Sequence, residues 1–279
     1  MLTAARHVLF YLCVFRYALY ISDGKSGVGD RLLMVAQKRK SKTSNYTISL
    51  DRQDLNKPYS ERSDAFLGKL RATTRARDEY VLYDRGLNPD GLYWEDAVAN
   101  HTMLRAELAC VVYRKGKDAK PTRKMEIALP SLLKGDDKPF VWRPQEADEE
   151  MRLLFKRVRT KGAQNVLHKD KICCLHNHAS RFDPISACLV EFKGRATAPS
   201  VKNFQTRVSP PEDAYLRAQW REGVGKDEDL PSGNDVGRVV LQLGRVGKDK
   251  FNMDFQHPLS PLQAFGICLS RFDTKHAEK

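Results

Sequence analysis

Apolar residues recur at every second position over short runs separated by turn-forming residues, the signature of strands with one face in a core. The pattern predicts strands over residues 17–22, 31–36, 45–51, 66–72, 80–84, 104–113 and 123–129. It resumes over 187–193, 201–205, 239–243 and 251–255, and Asp23-Gly24-Lys25-Ser26-Gly27 supplies a turn after the first strand. In the segment from Leu104, residues Leu104, Ala106, Leu108, Cys110 and Val112 share one face, predicted to be the core face, and Arg105 and Glu107 share the other. Many strands with almost no helical period between them predict a mainly β closed barrel or sandwich rather than alternating strands and helices.

Two stretches break the alternation. Residues 144–183 are rich in charge and histidine, with a short helix predicted near 149–159, and residues 207–237 carry Pro210-Pro211, glycines and many charges. Both read as surface insertions in one domain spanning 17–279, preceded by a segment, 1–16, with no assigned role.

The tail differs in kind. In SPLQAFGICLSRF, residues 260–272, Ser260 can cap a helix, Pro261 suits its first position and Gln263 completes a capping box. Leu262, Ala264, Phe265, Ile267, Cys268 and Leu269 surround most of the circumference, so this helix has no broad polar face. It is too short to cross a bilayer, and the interior of a β-barrel is the economical place for it.

Composition narrows the partners. Lys and Arg number 48 against 35 Asp and Glu in 279 residues, a net charge of +13, which favours nucleic acid or phosphate-bearing membrane and disfavours acidic partners and cationic substrates. Six cysteines are too few for a disulfide scaffold, and Cys13, Cys110, Cys188 and Cys268 lie in apolar runs, which predicts a reducing compartment. No run reaches the roughly eighteen apolar residues of a spanning helix. Residues 8–15, after Arg6 and His7, have the size of a signal-peptide apolar region, but Arg16 ends the run. An apolar first strand and an imperfect gene start are the alternatives. The sequons Asn45-Tyr46-Thr47 and Asn100-His101-Thr102 matter only on a secreted chain.

Three groups of residues invite chemistry. Lys69 and Arg71 alternate with Gly68 and Leu70, so both cations leave one strand face about 7 Å apart, a separation that suits two phosphates on one ring; an ordinary solvated face is the other reading. Lys38, Arg39, Lys40 and Lys42 form a basic run that suits anionic lipid, a nuclear address, a phosphate backbone, or simply a charged hairpin. His168, Cys173, Cys174, His176 and His178 crowd together, yet the spacing is not that of chelating pairs and adjacent cysteines do not easily ligate one tetrahedral ion, so no metal site is expected. Gly27-Val28-Gly29 and Gly223-Val224-Gly225-Lys226 lack phosphate-loop spacing, and no nucleophile elbow or zinc-protease pair occurs. The expectation is a binding protein, not an enzyme, with no cofactor.

Several motifs in order resemble the tubby C-terminal domain. They are Lys40-Ser41-Lys42-Thr43-Ser44-Asn45-Tyr46, Phe66-Leu67-Gly68-Lys69-Leu70-Arg71, Tyr83-Asp84 with Gly86 and Asn88-Pro89, and Gly194-Arg195 with 200–205. Gly244-Arg245-Val246, Met253-Asp254 and Leu262-Gln263-Ala264-Phe265 leading to Phe272-Asp273 complete the match, which runs from about Tyr17 to the C-terminus and leaves 1–15 unmatched. The resemblance implies a closed antiparallel barrel of twelve strands around a central hydrophobic C-terminal helix. It also implies binding of phosphatidylinositol 4,5-bisphosphate in the cytoplasmic leaflet, with Lys69 and Arg71 at the headgroup, joined by Asn45 and Arg105.

Animal members carry long N-terminal regions that engage intraflagellar transport complex A and take membrane receptors into cilia, and plant members usually carry an F-box there. The sequence here begins near the first matched strand, so the expectation is the lipid-reading module alone, peripheral at the plasma membrane or cilium, with membrane-protein cargo a further partner. A nuclear, DNA-binding or transcription-regulating protein is the alternative, resting on the charge and the basic run. A lipid-handling or scramblase-like protein, whose family shares the barrel, is a third.

Overall fold

The alternation is realised as twelve antiparallel strands among the residues that the structure, a computed structural model, describes: 6–13, 16–21, 30–57, 63–89, 103–114, 124–131, 140–161, 169–177, 192–208 and 239–273. In chain order they are β1 (Arg6–Cys13), β2 (Arg16–Ile21), β3 (Arg31–Arg39), β4 (Asn45–Ser49), β5 (Phe66–Ala72) and β6 (Glu79–Tyr83). The second half comprises β7 (Glu107–Arg114), β8 (Lys124–Pro130), β9 (Ile172–Asn177), β10 (Phe204–Val208), β11 (Val239–Arg245) and β12 (Lys250–Phe255). From β2 to β12 each strand pairs with its sequence neighbours, while β1 pairs with β2 on one side and β12 on the other, so the pairing runs round in a closed ring. Among the described residues of this mainly β chain the α-helices are α1 (Met151–Lys161) and α2 (Pro261–Asp273). The expected turn at 23–27, the glycine turns at 27–29 and 223–226, residues 187–191, His168, His178, Cys188, the Asn100 sequon and 209–237 lie outside the described residues.

Helix α2 occupies the interior. Tyr46 and Ile48 of β4, Leu70 of β5 and Leu82 of β6 share one core with its Phe265 and Ile267, and each such side chain is fully buried. Burial of a side chain of this size contributes roughly 1.5–3 kcal/mol. The predicted capping box is present: the Ser260 amide donates to Gln263 Oε1 at 2.9 Å and the Gln263 amide donates to Ser260 Oγ at 3.2 Å. Gly266 lies where α2 meets β6, and a Cβ there would sit 2.9 Å from the Leu82 methyls. At the far end the buried Asp273 accepts from Tyr80 at 2.9 Å, pairs closely with Lys38 and has Arg77 at 3.6 Å.

Three expectations change. The core face of β7 is the opposite of the predicted one: Ala109, Val111 and Tyr113 face α2, whereas Cys110 and Val112 lie under α1. Residues 108–113 are apolar throughout because both faces of β7 are covered, so alternation there carries no information about direction. Second, residues 144–183 are not merely a surface insertion. Met151, Leu154, Phe155 and Val158 line one side of α1 and pack on Val81, Cys110 and Ala128, and β9 within the same stretch is a sheet strand between β8 and β10. Arg207 and Val208, at the start of the other expected insertion, end β10. Third, Phe192 and Lys193 lie in a turn, and the strand expected at 201–205 begins only at Phe204, after the Asn203 amide has donated to the Ser200 carbonyl. Of the readings open for the apolar run after Arg6, the structure realises the first-strand one, as β1.

Candidate functional site

Strands β4, β5 and β6 turn Tyr46, Ile48, Leu70, Ala72, Tyr80 and Leu82 inward, so Asn45, Thr47, Lys69, Arg71, Val81 and Tyr83 leave the outer face. Register places them in two rows. Arg39, Asn45, Arg71 and Val81 are successive cross-strand partners in one, and Thr47, Lys69, Tyr83 and Glu107 in the other. Arg71 is exposed and Lys69 half-buried. Gly68 lets β5 approach β6 this closely: a Cβ there would lie 2.1 Å from the Tyr83 carbonyl oxygen.

Arg105 joins the group from outside the sheet. It precedes β7, its Cα and amide nitrogen lie where a Cβ on Gly86 would fall, and its guanidinium lies 4.2 Å from the Tyr83 ring centroid. Tyr83 thus carries Lys69 beside it in register and Arg105 over its ring. The four residues singled out from sequence, Asn45, Lys69, Arg71 and Arg105, therefore gather on one outer patch. Two buried polar atoms in it, Arg105 Nη1 and Asn45 Oδ1, have no hydrogen-bond partner among the described residues. A buried donor left unmade costs about 1–3 kcal/mol, so these two atoms have the most to gain from an added hydrogen-bond partner at the patch.

Sequence reasoning missed two members. Tyr83 is the platform for Arg105, and its alternation with Leu82 already put it on the outer face. Glu107, buried beneath the patch, accepts from the Met151 amide at 2.7 Å and so holds the first turn of α1 against the barrel. Burial pushes its carboxyl up to about 7, with Glu150 adding to the shift and the Met151 hydrogen bond, Arg105 and Arg152 opposing it. Burial likewise pushes the Tyr83 phenol upward, reinforced by Glu107.

The basic run divides. Lys38 turns to the end of the core and pairs with Asp273; Arg39 lies beside the patch and donates to Thr47 Oγ1 at 3.3 Å and to the Lys57 carbonyl at 3.1 Å. Lys40 and Lys42 alone of the four are exposed. The residues do not form one continuous basic surface because β3 sends successive side chains to opposite faces. In the cysteine–histidine stretch, Cys173 packs toward the main core and Cys174 toward α1, so neighbours in sequence face opposite ways. Burial pushes both thiols up to about 12.

A cavity of about 260 Å³ lies elsewhere, over β10 to β12. Its Arg195 grips Asp254 through two hydrogen bonds of 2.8 and 2.9 Å, Gln242 donates to the same carboxylate at 2.7 Å, and Gln205 donates to Gln242 at 3.0 Å. These polar groups satisfy one another and bind the 192–200 segment to the sheet.

A model of the Tub family matches residues 7–274. The chain is 35% identical over 263 residues to Tubby-related protein 2 of Mus musculus, covering 94% of this chain and 39% of that protein. It is 32% identical over 249 residues to Tubby-related protein 3 of Mus musculus, covering 88% and 45%, and 30% identical over 267 residues to Tubby protein homolog 1 of Caenorhabditis elegans, covering 94% and 53%. The chain thus spans between 39% and 53% of the length of these relatives. The family match starts at residue 7, inside β1, which corrects the expectation that residues 1–15 fall outside the pattern. Strand β1 contributes through backbone pairing, which leaves no distinctive side-chain motif.

Proposed function

Because the chain belongs to the Tub family, we propose that it is a non-enzymatic module that binds the headgroup of phosphatidylinositol 4,5-bisphosphate in the cytoplasmic leaflet. The observation that carries this reading is the convergence of Asn45, Lys69, Arg71 and Arg105 on one outer patch, with a buried donor and a buried acceptor unsatisfied.

In this proposal each residue has a role that its chemistry supports. The exposed Arg71 fork takes one ring phosphate through two parallel hydrogen bonds, and the Lys69 ammonium serves the neighbouring phosphate as a point charge. Arg105, its ring-facing side held by Tyr83, gives its partnerless Nη1 to a phosphate oxygen, and an inositol hydroxyl donates to Asn45 Oδ1. The +13 net charge favours approach to such a surface. The module so tethered is a peripheral protein of the plasma membrane or cilium, with membrane-protein cargo a further partner only where an adaptor segment joins it.

Liposome sedimentation of the full chain tests this. Pelleting should depend on the bisphosphate lipid, weaken with salt and fall sharply in Lys69→Ala/Arg71→Ala. Equal pelleting with and without the lipid contradicts the reading.

A further inference from the structure

The hairpins β3–β4 and β5–β6 project at the end of the barrel where α2 finishes, because Lys38 of β3 and Arg77 and Tyr80 of the second hairpin all meet Asp273. The two hairpins adjoin: the Ala72 amide donates to the Ser44 carbonyl at 2.8 Å. Both turns are well tied, with Ser41 Oγ donating to the Thr43 carbonyl in the first, and the Thr73 amide donating to the Glu79 carbonyl at 2.9 Å in the second.

Their charges are uneven. The connecting segments 40–44 and 73–78, together with Glu79, hold two carboxylates. Both are engaged: Asp78 accepts from Thr74 Oγ1, and Glu79 accepts from Thr73 Oγ1 at 2.5 Å and faces Arg152 at 4.0 Å. Asp273 beneath them is buried and already surrounded. Lys40, Lys42 and Arg75 are exposed, and among the described residues none of them has an ion-pair partner. Adjoining turns that carry uncompensated like charge stabilise nothing in the fold; they raise the local positive potential and attract an anionic surface.

Continuity selects the surface. Arg71 is the penultimate residue of β5, so the headgroup patch runs directly into these turns. We propose that Lys40, Lys42 and Arg75 form a second membrane contact, one that takes the anionic lipids of the bilayer at large without stereochemical selection and sets the barrel's orientation on the leaflet. The inference rests on the headgroup reading, since a bilayer held at Lys69 and Arg71 is the polyanion within reach of both turns. Each cation near an anionic leaflet raises affinity about fivefold.

The test uses the full chain and vesicles of phosphatidylcholine alone, with phosphatidylserine, with phosphatidylinositol 4,5-bisphosphate, and with both. Adding phosphatidylserine should strengthen binding of the unchanged protein. Lys40→Glu/Lys42→Glu/Arg75→Glu should lose that gain, weakening binding by at least about tenfold, while keeping its affinity for the soluble headgroup and its melting curve. The neutral triple variant with Gln at the three positions should fall between. Lys69→Ala/Arg71→Ala should lose the bisphosphate dependence and keep the phosphatidylserine dependence. The second contact is overturned if the Glu variant binds phosphatidylserine vesicles like the unchanged protein, or if the three cations matter for duplex DNA and not for vesicles. A Lys69→Ala/Arg71→Ala protein with intact bisphosphate dependence overturns the headgroup reading instead, whatever the phosphatidylserine result.

Discussion

The guanidinium of Arg105 lies over the ring of Tyr83 at 4.2 Å, and Tyr83 is the cross-strand partner of Lys69 on one side and Glu107 on the other. One phenol ring therefore fixes the position of a cation, borders a second and covers a buried carboxylate.

Replacing Arg105 by Lys tests the stack directly. The charge survives, but the planar fork and much of the ring contact are lost. Headgroup affinity should fall about tenfold with a change in unfolding free energy of under about 1 kcal/mol, read by calorimetric titration with soluble headgroup and by urea unfolding. Unchanged affinity would remove Arg105 from the site.

Glu107 gives a pH dependence with a definite sign. Its folded-state value is raised from 4.5 to about 7, so between these values the folded chain holds a proton that the unfolded chain has released. Stability contributed by this group is present below about pH 4.5, declines as pH rises toward about 7 and is flat above, a loss of about 3 kcal/mol. Glu107→Gln, which keeps an acceptor for the Met151 amide, should remove this decline. Parallel stability–pH curves for the two proteins would rule it out.

Lys38 and Lys40 are two residues apart and have different work. Lys38→Met leaves the Asp273 carboxylate buried with Arg77 as its remaining cation, and should cost about 3 kcal/mol of stability. It should leave binding to phosphatidylserine vesicles unchanged relative to the folded fraction. Lys40→Glu should do the reverse, weakening vesicle binding with stability altered by under about 0.5 kcal/mol.

Gly68→Ala probes the backbone beneath the site. The added carbon would fall 2.1 Å from the Tyr83 carbonyl oxygen, a backbone atom that cannot swing away, so β5 must move. A cost of about 3 kcal/mol is expected, together with weaker headgroup binding, because Lys69 and Arg71 move with the strand. A thermal melt and headgroup titration on one preparation check both.

How far the sequence carried these conclusions varies along the chain. Alternation located β5 and its outward cations to the residue, because Gly68, Leu70 and Ala72 differ plainly from Lys69 and Arg71. The capping residues and apolar circumference of α2 announced a buried helix. In β7 the same rule inverted the faces, since α1 covers what would otherwise be a solvent side. Strand β9 lay hidden in a histidine- and charge-rich stretch: Cys173 and Cys174 point opposite ways, and both find apolar surroundings. The division of the basic run depends on Asp273, which lies 235 residues from Lys38 and meets it only through the fold.

The most direct test of the central claim is a residue-resolved NMR titration of the full chain with soluble inositol 1,4,5-trisphosphate. Saturable shifts should concentrate on Asn45, Lys69, Arg71, Tyr83 and Arg105 and vanish in Lys69→Ala/Arg71→Ala. Shifts centred on the Arg195–Asp254 cavity, or none that saturate, would contradict the account.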